Sequence, residues 1–185
     1  MATIAAGLLA APGPASAASS SGCPNADAMP LSVSTQAFND SILCLLNRER
    51  TNHGLGTLRI NAKLTSAAIG HSVSMRSRGY FEHDEPGGAT FAARIQAIGY
   101  TQGAKRWLAG ENLGWGTNDW GTPQSLMVAW MDSPLHRANI LEPRFREIGI
   151  GLEWGSPQNP TETNAALVTT DFGYAKKRHK RHRRH

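Results

Sequence analysis

The sequence has no long hydrophobic segment. No apolar run among its 185 residues approaches the roughly 20 residues that a membrane-spanning helix requires, so no transmembrane segment is predicted. It also lacks a His-Glu-x-x-His motif, a P-loop, a Gly-x-Gly-x-x-Gly turn after a strand and a nucleophile elbow. These absences argue against several motif-defined enzyme classes. The length and a hydrophobic content of 40% predict one globular domain with a sizeable core.

Cysteine is scarce, because Cys23 and Cys44 are the only two. An even count in a protein predicted to be exported favours one disulfide, which would tie the N-terminal arm to the first predicted helix. Closing a loop of this size stabilises the folded chain by roughly 3 kcal/mol in the chain-entropy model. The alternative is a buried thiol at Cys44 and a free Cys23.

Positive charge is scarce outside one short segment. Residues 176–185 contain seven Lys or Arg and three His, so the other 12 basic residues face 14 acidic ones and carry a net charge of −2, although the whole chain carries +5. Like charges repel, so this tail is predicted to be disordered and to contact polyanionic surfaces. The tryptophans are scattered rather than interleaved with basic residues, and no specific nucleic-acid interface is predicted.

The N-terminal segment has features of an export leader. Residues 4–11 are apolar and rich in Ala, and Ala15-Ser16-Ala17 has the small-x-small pattern of a signal-peptidase site, but no basic residues precede it. A leader and a plain Ala, Pro and Ser-rich extension both remain open, and the cysteine pair favours a secreted, extracellular or periplasmic protein. The predicted organisation is a leader and linker over residues 1–22, one domain over 23–174 and a basic, His-rich tail over 175–185.

The order of predicted helices and strands indicates an α+β domain. Apolar periodicity and glycine stops predict helices over 37–52, 62–78, 90–98 and 123–131, and strands over 107–115, 148–154 and 166–172. The short segment 57–61 is predicted to be an extended connection. The loop between the last two strands is too short for a crossover helix, so these strands should pair antiparallel.

Three residues stand in dense polar motifs: His83 in Phe-Glu-His-Asp-Glu-Pro, Glu111 in Gly-Glu-Asn-Leu and His136 in Ser-Pro-Leu-His-Arg-Ala-Asn-Ile-Leu. Brought together, two imidazoles and one carboxylate could bind a divalent metal or move protons. Each also has a structural alternative. His83 would be an ordinary surface histidine, Glu111 would make a hydrogen bond across its loop, and His136 would brace the following turn.

Taken together, the motifs resemble those of the CAP superfamily, also called the SCP-like extracellular domain, and most closely its bacterial secreted branch. The residues that carry the resemblance are Leu46 to Arg50, His71, Ser72, Met75, Phe81, His83, Pro86, Gly110 to Leu113, Trp130, Ser133 to Leu141, Ile148 to Gly151 and Thr170 to Gly173. The resemblance implies an α-β-α sandwich, with a small antiparallel sheet between layers of helices. It also implies a central cavity that holds two His and two acidic residues.

His83, Glu111 and His136 match three of these four cavity positions. The fourth is unmatched, because Met131, Asp132 and Ser133 follow Trp130 where other members have a Glu after a Trp, so either Asp132 or Ser133 is the candidate. The resemblance implies that the cavity binds a divalent metal such as zinc, through His83, Glu111 and His136, or a lipid or other small apolar ligand. Two further readings stay open: metal-assisted hydrolysis of an extracellular substrate, and a passive scaffold with an adhesive basic tail.

Overall fold

The computed structural model describes residues 22–177. The predicted leader, apart from Gly22, and the tail beyond Lys177 lie outside these residues. The helices and strands are α1 (Thr35–Asn52), β1 (Arg59–Ile60), α2 (Ala62–Arg78), α3 (Phe91–Ala97), β2 (Ala104–Thr117), α4 (Pro123–Asp132), α5 (Pro134–Ile140), β3 (Glu147–Trp154) and β4 (Ala165–Lys177). No helix in this part of the chain combines the length and the apolar character needed to cross a bilayer.

Four strands form one sheet in the order β1-β3-β4-β2. As predicted, β3 and β4 pair antiparallel, and β4 also pairs antiparallel with β2. The predicted connection 57–61 contains β1, which pairs with β3 in parallel and makes the sheet mixed rather than wholly antiparallel. β4 continues three residues beyond the predicted domain boundary at 174, because its end pairs with the start of β2, with Lys176 opposite Arg106.

Helices cover both faces of the sheet, which confirms the predicted α+β class and the layered sandwich. On one face, α2 and α3 enclose a small core that contains Leu64 and Ile95. On the other, α1, α4 and α5 bury the main core, in which Phe38 and Trp130 are among the largest side chains. β2 lies at an edge of the sheet, so residues on its two faces contact different helices.

Two glycines of β3 allow α2 to lie directly on the sheet. A Cβ atom at Gly149 would overlap the backbone of Leu64, and one at Gly151 would overlap the backbone of Ala68. Glycine is therefore required here for the close approach of two backbones. This approach places His71 of α2, which is fully buried, over the centre of the sheet.

A disulfide joins Cys23 to Cys44 of α1, with a Cα–Cα distance of 5.8 Å. This confirms the predicted pairing. The disulfide fixes the irregular arm before α1 against the helix that covers the main core.

Arg50 ties α1 to the segment that follows α5. Its fully buried guanidinium donates hydrogen bonds to the backbone carbonyls of Ile140 at 2.7 Å, Glu142 at 3.1 Å and Phe145 at 3.3 Å. Charged donors to backbone carbonyls are among the stronger hydrogen bonds in proteins. The loop 141–146 is therefore held in place from the interior of the protein.

Candidate functional site

His83 and Glu111 are joined by a hydrogen bond. His83 lies in the loop between α2 and α3, Glu111 lies in the middle of β2, and Nδ1 of the histidine is 2.8 Å from Oε1 of the carboxylate. The His83 side chain is 55% exposed, whereas that of Glu111 is 1% exposed, so the pair connects solvent with the interior. The hydrogen bond to Glu111 raises the pKa of His83, against the opposing effect of burial.

Arg94 of α3 completes the surroundings of Glu111, and the sequence analysis did not identify it. One guanidinium nitrogen donates to Glu111 Oε2 at 2.6 Å, and another donates to the backbone carbonyl of His83 at 2.8 Å. Both oxygens of the buried carboxylate therefore have partners, as a buried charge requires. Arg94 belongs to no recognisable motif, and its role depends on the packing of α3 against the loop that carries His83.

A second buried acid, Asp171 of β4, lies directly opposite Glu111 in the β2–β4 ladder. Opposite residues of an antiparallel pair point to the same face of the sheet. Asp171 is 1% exposed, and neither of its oxygens has a hydrogen-bond donor within residues 22–177. Burial and then the charge of Glu111 raise the pKa of Asp171 well above its usual range. A protonated Asp171 can donate its O–H to Glu111, which two ionised carboxylates could not do.

His71 of α2 lies beneath this cluster as a neutral core histidine. Its Nε2 is 3.0 Å from the backbone carbonyl of Glu82. The same nitrogen is 4.0 Å from Glu111 Oε1. Burial, the largest effect, lowers the pKa of His71, so this ring adds no charge to the cluster at neutral pH.

His136 approaches the cluster from the other face of the sheet, around the edge strand β2. It lies on α5, which the sequence analysis missed, and its carbonyl accepts a hydrogen bond from Asn112 at 3.0 Å. Asn139, also on α5, donates to the Glu111 carbonyl at 3.0 Å, so both asparagines brace the backbone. Burial and then the positive charge of His83 lower the pKa of His136. The imidazoles of His83 and His136 are therefore close enough for their charges to interact.

The structure places the two candidates for the fourth position away from Glu111. Asp132 is the exposed last residue of α4 and lines a separate surface depression of about 360 Å³ with Met131 and Arg137. Ser133 separates α4 from α5, and its side chain makes no capping hydrogen bond. The acid that lies beside Glu111 is Asp171. Only the register of β2 and β4 brings it there, and the sequence motif gives no indication of that register.

The predicted set of three metal ligands meets a difficulty at Glu111. The side chain of Glu111 is 1% exposed and each of its oxygens already has a partner, in His83 or Arg94, so a metal bound there would compete with both for a buried carboxylate. Within residues 22–177, no group of three or more His, Cys, Asp or Glu is arranged to hold a metal ion. The Nε2 atom of His83 and the ring nitrogens of His136 make no hydrogen bonds to the described part of the chain. These two imidazoles therefore have nitrogen atoms available to bind a metal.

Curated proteins from Bacillus subtilis (strain 168) are similar to this chain. The uncharacterized protein YkwD is 36% identical over 124 residues, which is 66% of this chain and 46% of that protein. The uncharacterized membrane protein YlbC is 28% identical over 114 residues, which is 60% of this chain and 30% of that protein. The chain thus spans less than half the length of either relative.

Solved structures show the same fold. An extracellular SCP-domain protein from Bacillus anthracis superposes with a TM-score of 0.56 at 25% identity, over 78% of this chain and 44% of that one. An outer surface protein from Borrelia burgdorferi gives a TM-score of 0.64 at 21% identity, over 78% of this chain and 97% of that one. The family model described as "CAP: Cysteine-rich secretory protein family" matches residues 43–160. The chain is therefore a member of the cysteine-rich secretory protein (CAP) family.

Proposed function

We propose that this CAP domain is exported and that His83 and His136 together bind a divalent transition metal such as zinc. The observation that carries the proposal is the 2.8 Å contact between His83 Nδ1 and Glu111. Metal-binding histidines usually donate one ring N–H to a carboxylate or carbonyl, which leaves the other nitrogen free for the metal. With Nδ1 held by Glu111, the Nε2 lone pair of a 55% exposed ring is the one available.

In this proposal Glu111 orients a ligand instead of binding the metal itself. Arg94 stays on the carboxylate at 2.6 Å and balances its charge. Two imidazoles are fewer ligands than the three that catalytic zinc sites use, so the remaining positions would be filled by water or by a bound partner. Metal binding should accordingly be weaker than at a structural four-ligand site. A bound lipid or apolar ligand and metal-assisted hydrolysis stay predictions, since no contact described above favours either.

The test is a zinc titration by calorimetry on the full chain with His179→Gln, His182→Gln and His185→Gln, which removes the competing tail histidines. We expect one site, lost in His83→Ala and in His136→Ala. His53→Ala is the matched control, since His53 is an exposed histidine at the end of α1. Binding should also weaken as the pH falls through the raised pKa of His83, because a proton competes for the ring. Equal affinity in all three alanine variants would refute the proposal.

Export is supported by the disulfide and by the likeness to the extracellular protein from Bacillus anthracis. If the N-terminal segment is a leader, protein secreted by a Gram-positive host should start shortly after Ala17. Edman sequencing of the secreted material checks this, and a mature chain that still begins at Met1 would contradict it.

A further inference from the structure

A second cavity, of about 650 Å³, lies where β2 begins and β4 ends. We call it the basic pocket, because five of its lining residues are cationic and none is acidic: Lys105, Arg106, Arg144, Arg146 and Lys176. None of its lining residues belongs to the cluster around Glu111. Four of these five are among the 12 basic residues that precede the tail in a body of net charge −2. This concentration of positive charge is therefore local.

The sheet itself sets two of these cations against each other. Arg106 and Lys176 are directly opposite in the β2–β4 ladder, where like charges destabilise a sheet. The register shifts between Ala104 and Arg106, so Lys105 is an extra residue in β2. Such bulges redirect a side chain, and here Lys105 joins the lining of the pocket.

Most of the charge in the basic pocket is uncompensated within the protein. The side chains of Lys105, Arg106 and Lys176 have no hydrogen-bond or ion-pair partner in the described part of the chain. Arg146 donates to the backbone carbonyls of Pro143 and Phe145 at 2.6 and 2.8 Å, which fixes its position without neutralising it. Among the five cations, Arg144 has a carboxylate partner, in Glu142.

The arrangement of donors and the opposite wall indicate the chemistry of the ligand. Several convergent cations suit an anion with more than one charge and several acceptor oxygens, as in a phosphate ester. Leu108 and Tyr174 are paired in the ladder two positions further on, so their side chains share the face of Arg106 and Lys176 and offer an aliphatic and aromatic surface to a carbon skeleton. The volume is within the usual range for small-ligand sites.

We propose that the basic pocket binds a phosphate ester of a sugar or polyol, with the phosphate between Arg106 and Lys176 and the carbon skeleton against Tyr174. A bound phosphate would relieve the repulsion of this cross-strand pair. The site is independent of the histidine pair, and its loop 141–146 is held in advance by Arg50. Little ordering is then needed on binding, which favours affinity.

The probes are glycerol 3-phosphate as a free ester and vesicles of phosphatidylglycerol in phosphatidylcholine as a lipid headgroup, with glycerol and pure phosphatidylcholine as uncharged controls. Wild-type full chain is compared with Arg106→Gln/Lys176→Gln and with the charge-matched control Lys63→Gln/Arg137→Gln. All three proteins keep the basic residues 177–185 of the tail, and both variants lose two positive charges, so a difference between the variants reports on the pocket. Affinity should fall at least about tenfold in the pocket variant alone, as expected for the loss of charge-assisted hydrogen bonds.

Two further measurements locate the effect. The aromatic ring resonances of Tyr174, assigned with Tyr174→Phe, should shift on titration with glycerol 3-phosphate. Tm should rise with that ligand in the wild type and not in the pocket variant, while the unliganded Tm of the variant should equal or exceed that of the wild type. Binding of the free ester identifies a soluble ligand, and binding of vesicles alone identifies a headgroup. No binding of either probe, or equal binding by all three proteins, overturns the proposal.

Discussion

At the scale of single residues, two carboxyl groups share one buried face of the sheet and differ in what surrounds them. Glu111 has His83 at 2.8 Å and Arg94 at 2.6 Å, whereas Asp171, directly opposite, has no donor within residues 22–177. Burial and the charge of Glu111 raise the pKa of Asp171, and in its protonated form Asp171 can donate its O–H to Glu111. The face can therefore hold two acids with a single negative charge.

Replacing Asp171 with Asn should stabilise the protein increasingly as the pH rises from about 4 to 7. Because the folded-state pKa of Asp171 is raised, the folded state binds more protons than the unfolded state, and wild-type stability falls with rising pH above the unfolded value of about 3.9. Asn cannot ionise, so this loss disappears. The difference in free energy of unfolding should grow by up to ~1.4 kcal/mol per pH unit.

Urea denaturation of wild type and Asp171→Asn at several pH values measures this difference. Asp132→Asn, at an exposed acid of α4, should run parallel to the wild type. Parallel curves for both variants would mean that Asp171 ionises normally in the folded protein.

At the scale of helices and strands, the contact between α2 and β3 fixes the depth of the site. His71 sits on the helix, Asp171 on the neighbouring strand β4, and Gly149 of β3 lies opposite Asp171. Direct contact between the backbone of α2 and that of β3 sets the distance between helix and sheet at this point. Any increase would move His71 away from the acids.

Gly149→Ala should lower the free energy of unfolding by about 3 kcal/mol or more, because the new methyl group would overlap the Leu64 backbone, which a side-chain rotation cannot relieve. Gly56→Ala is the matched control, since its added Cβ has no neighbour within 4 Å. Chemical denaturation checks both. Similar small losses in the two variants would show that α2 can move away from the sheet at little cost.

The local elements were predictable where a short signal determines them. α2 has its predicted bounds because Asn61 caps its start with hydrogen bonds to Lys63 and Leu64, and Gly79 ends it in a left-handed conformation with φ of 70°. α5 was missed because seven residues are too few for a period, and Ser133 alone separates it from α4. β1 was missed because two residues have no alternation.

The site was predictable only where it depended on motifs. His83 and Glu111 were identified from their motifs, and the structure joins them directly. Asp171 lies in one of the motifs that carry the resemblance, but its position beside Glu111 depends on strand register, and that of Arg94 depends on helix packing, so both depend on the whole fold. For the same reason, the sequence pointed to Asp132, shortly after Trp130, as the candidate second acid, and not to Asp171.

At the scale of the whole molecule, the edge strand β2 contributes to two surfaces, one lined by cations and one built around a buried carboxylate. Its first residues line the basic pocket, and its middle carries Glu111 of the histidine cluster. Arg50 of α1 holds the loop of the basic pocket, and the disulfide holds the N-terminal arm against the same helix. Loss of the disulfide between Cys23 and Cys44 should therefore lower the stability of the protein more than it disturbs either surface.

Cys23→Ser/Cys44→Ser should reduce the free energy of unfolding by roughly 3 kcal/mol, since the bridge closes a loop between residues 21 positions apart. Thermal unfolding with and without reductant measures the effect, and the reduced wild type should match the double variant. Thiol titration of the denatured, unreduced protein should find no free thiol. Two free thiols, or an unchanged Tm, would contradict a stabilising bridge.

β4 lies between β3 and β2, yet it follows both in the chain order. Until residues 165–177 have been made, β2 lacks its strand partner and β3 pairs only with the two residues of β1. A growing chain on the ribosome therefore cannot complete the sheet that the helices cover, and we expect the domain to fold only after β4 has emerged. A chain truncated before residue 165 should therefore remain unfolded.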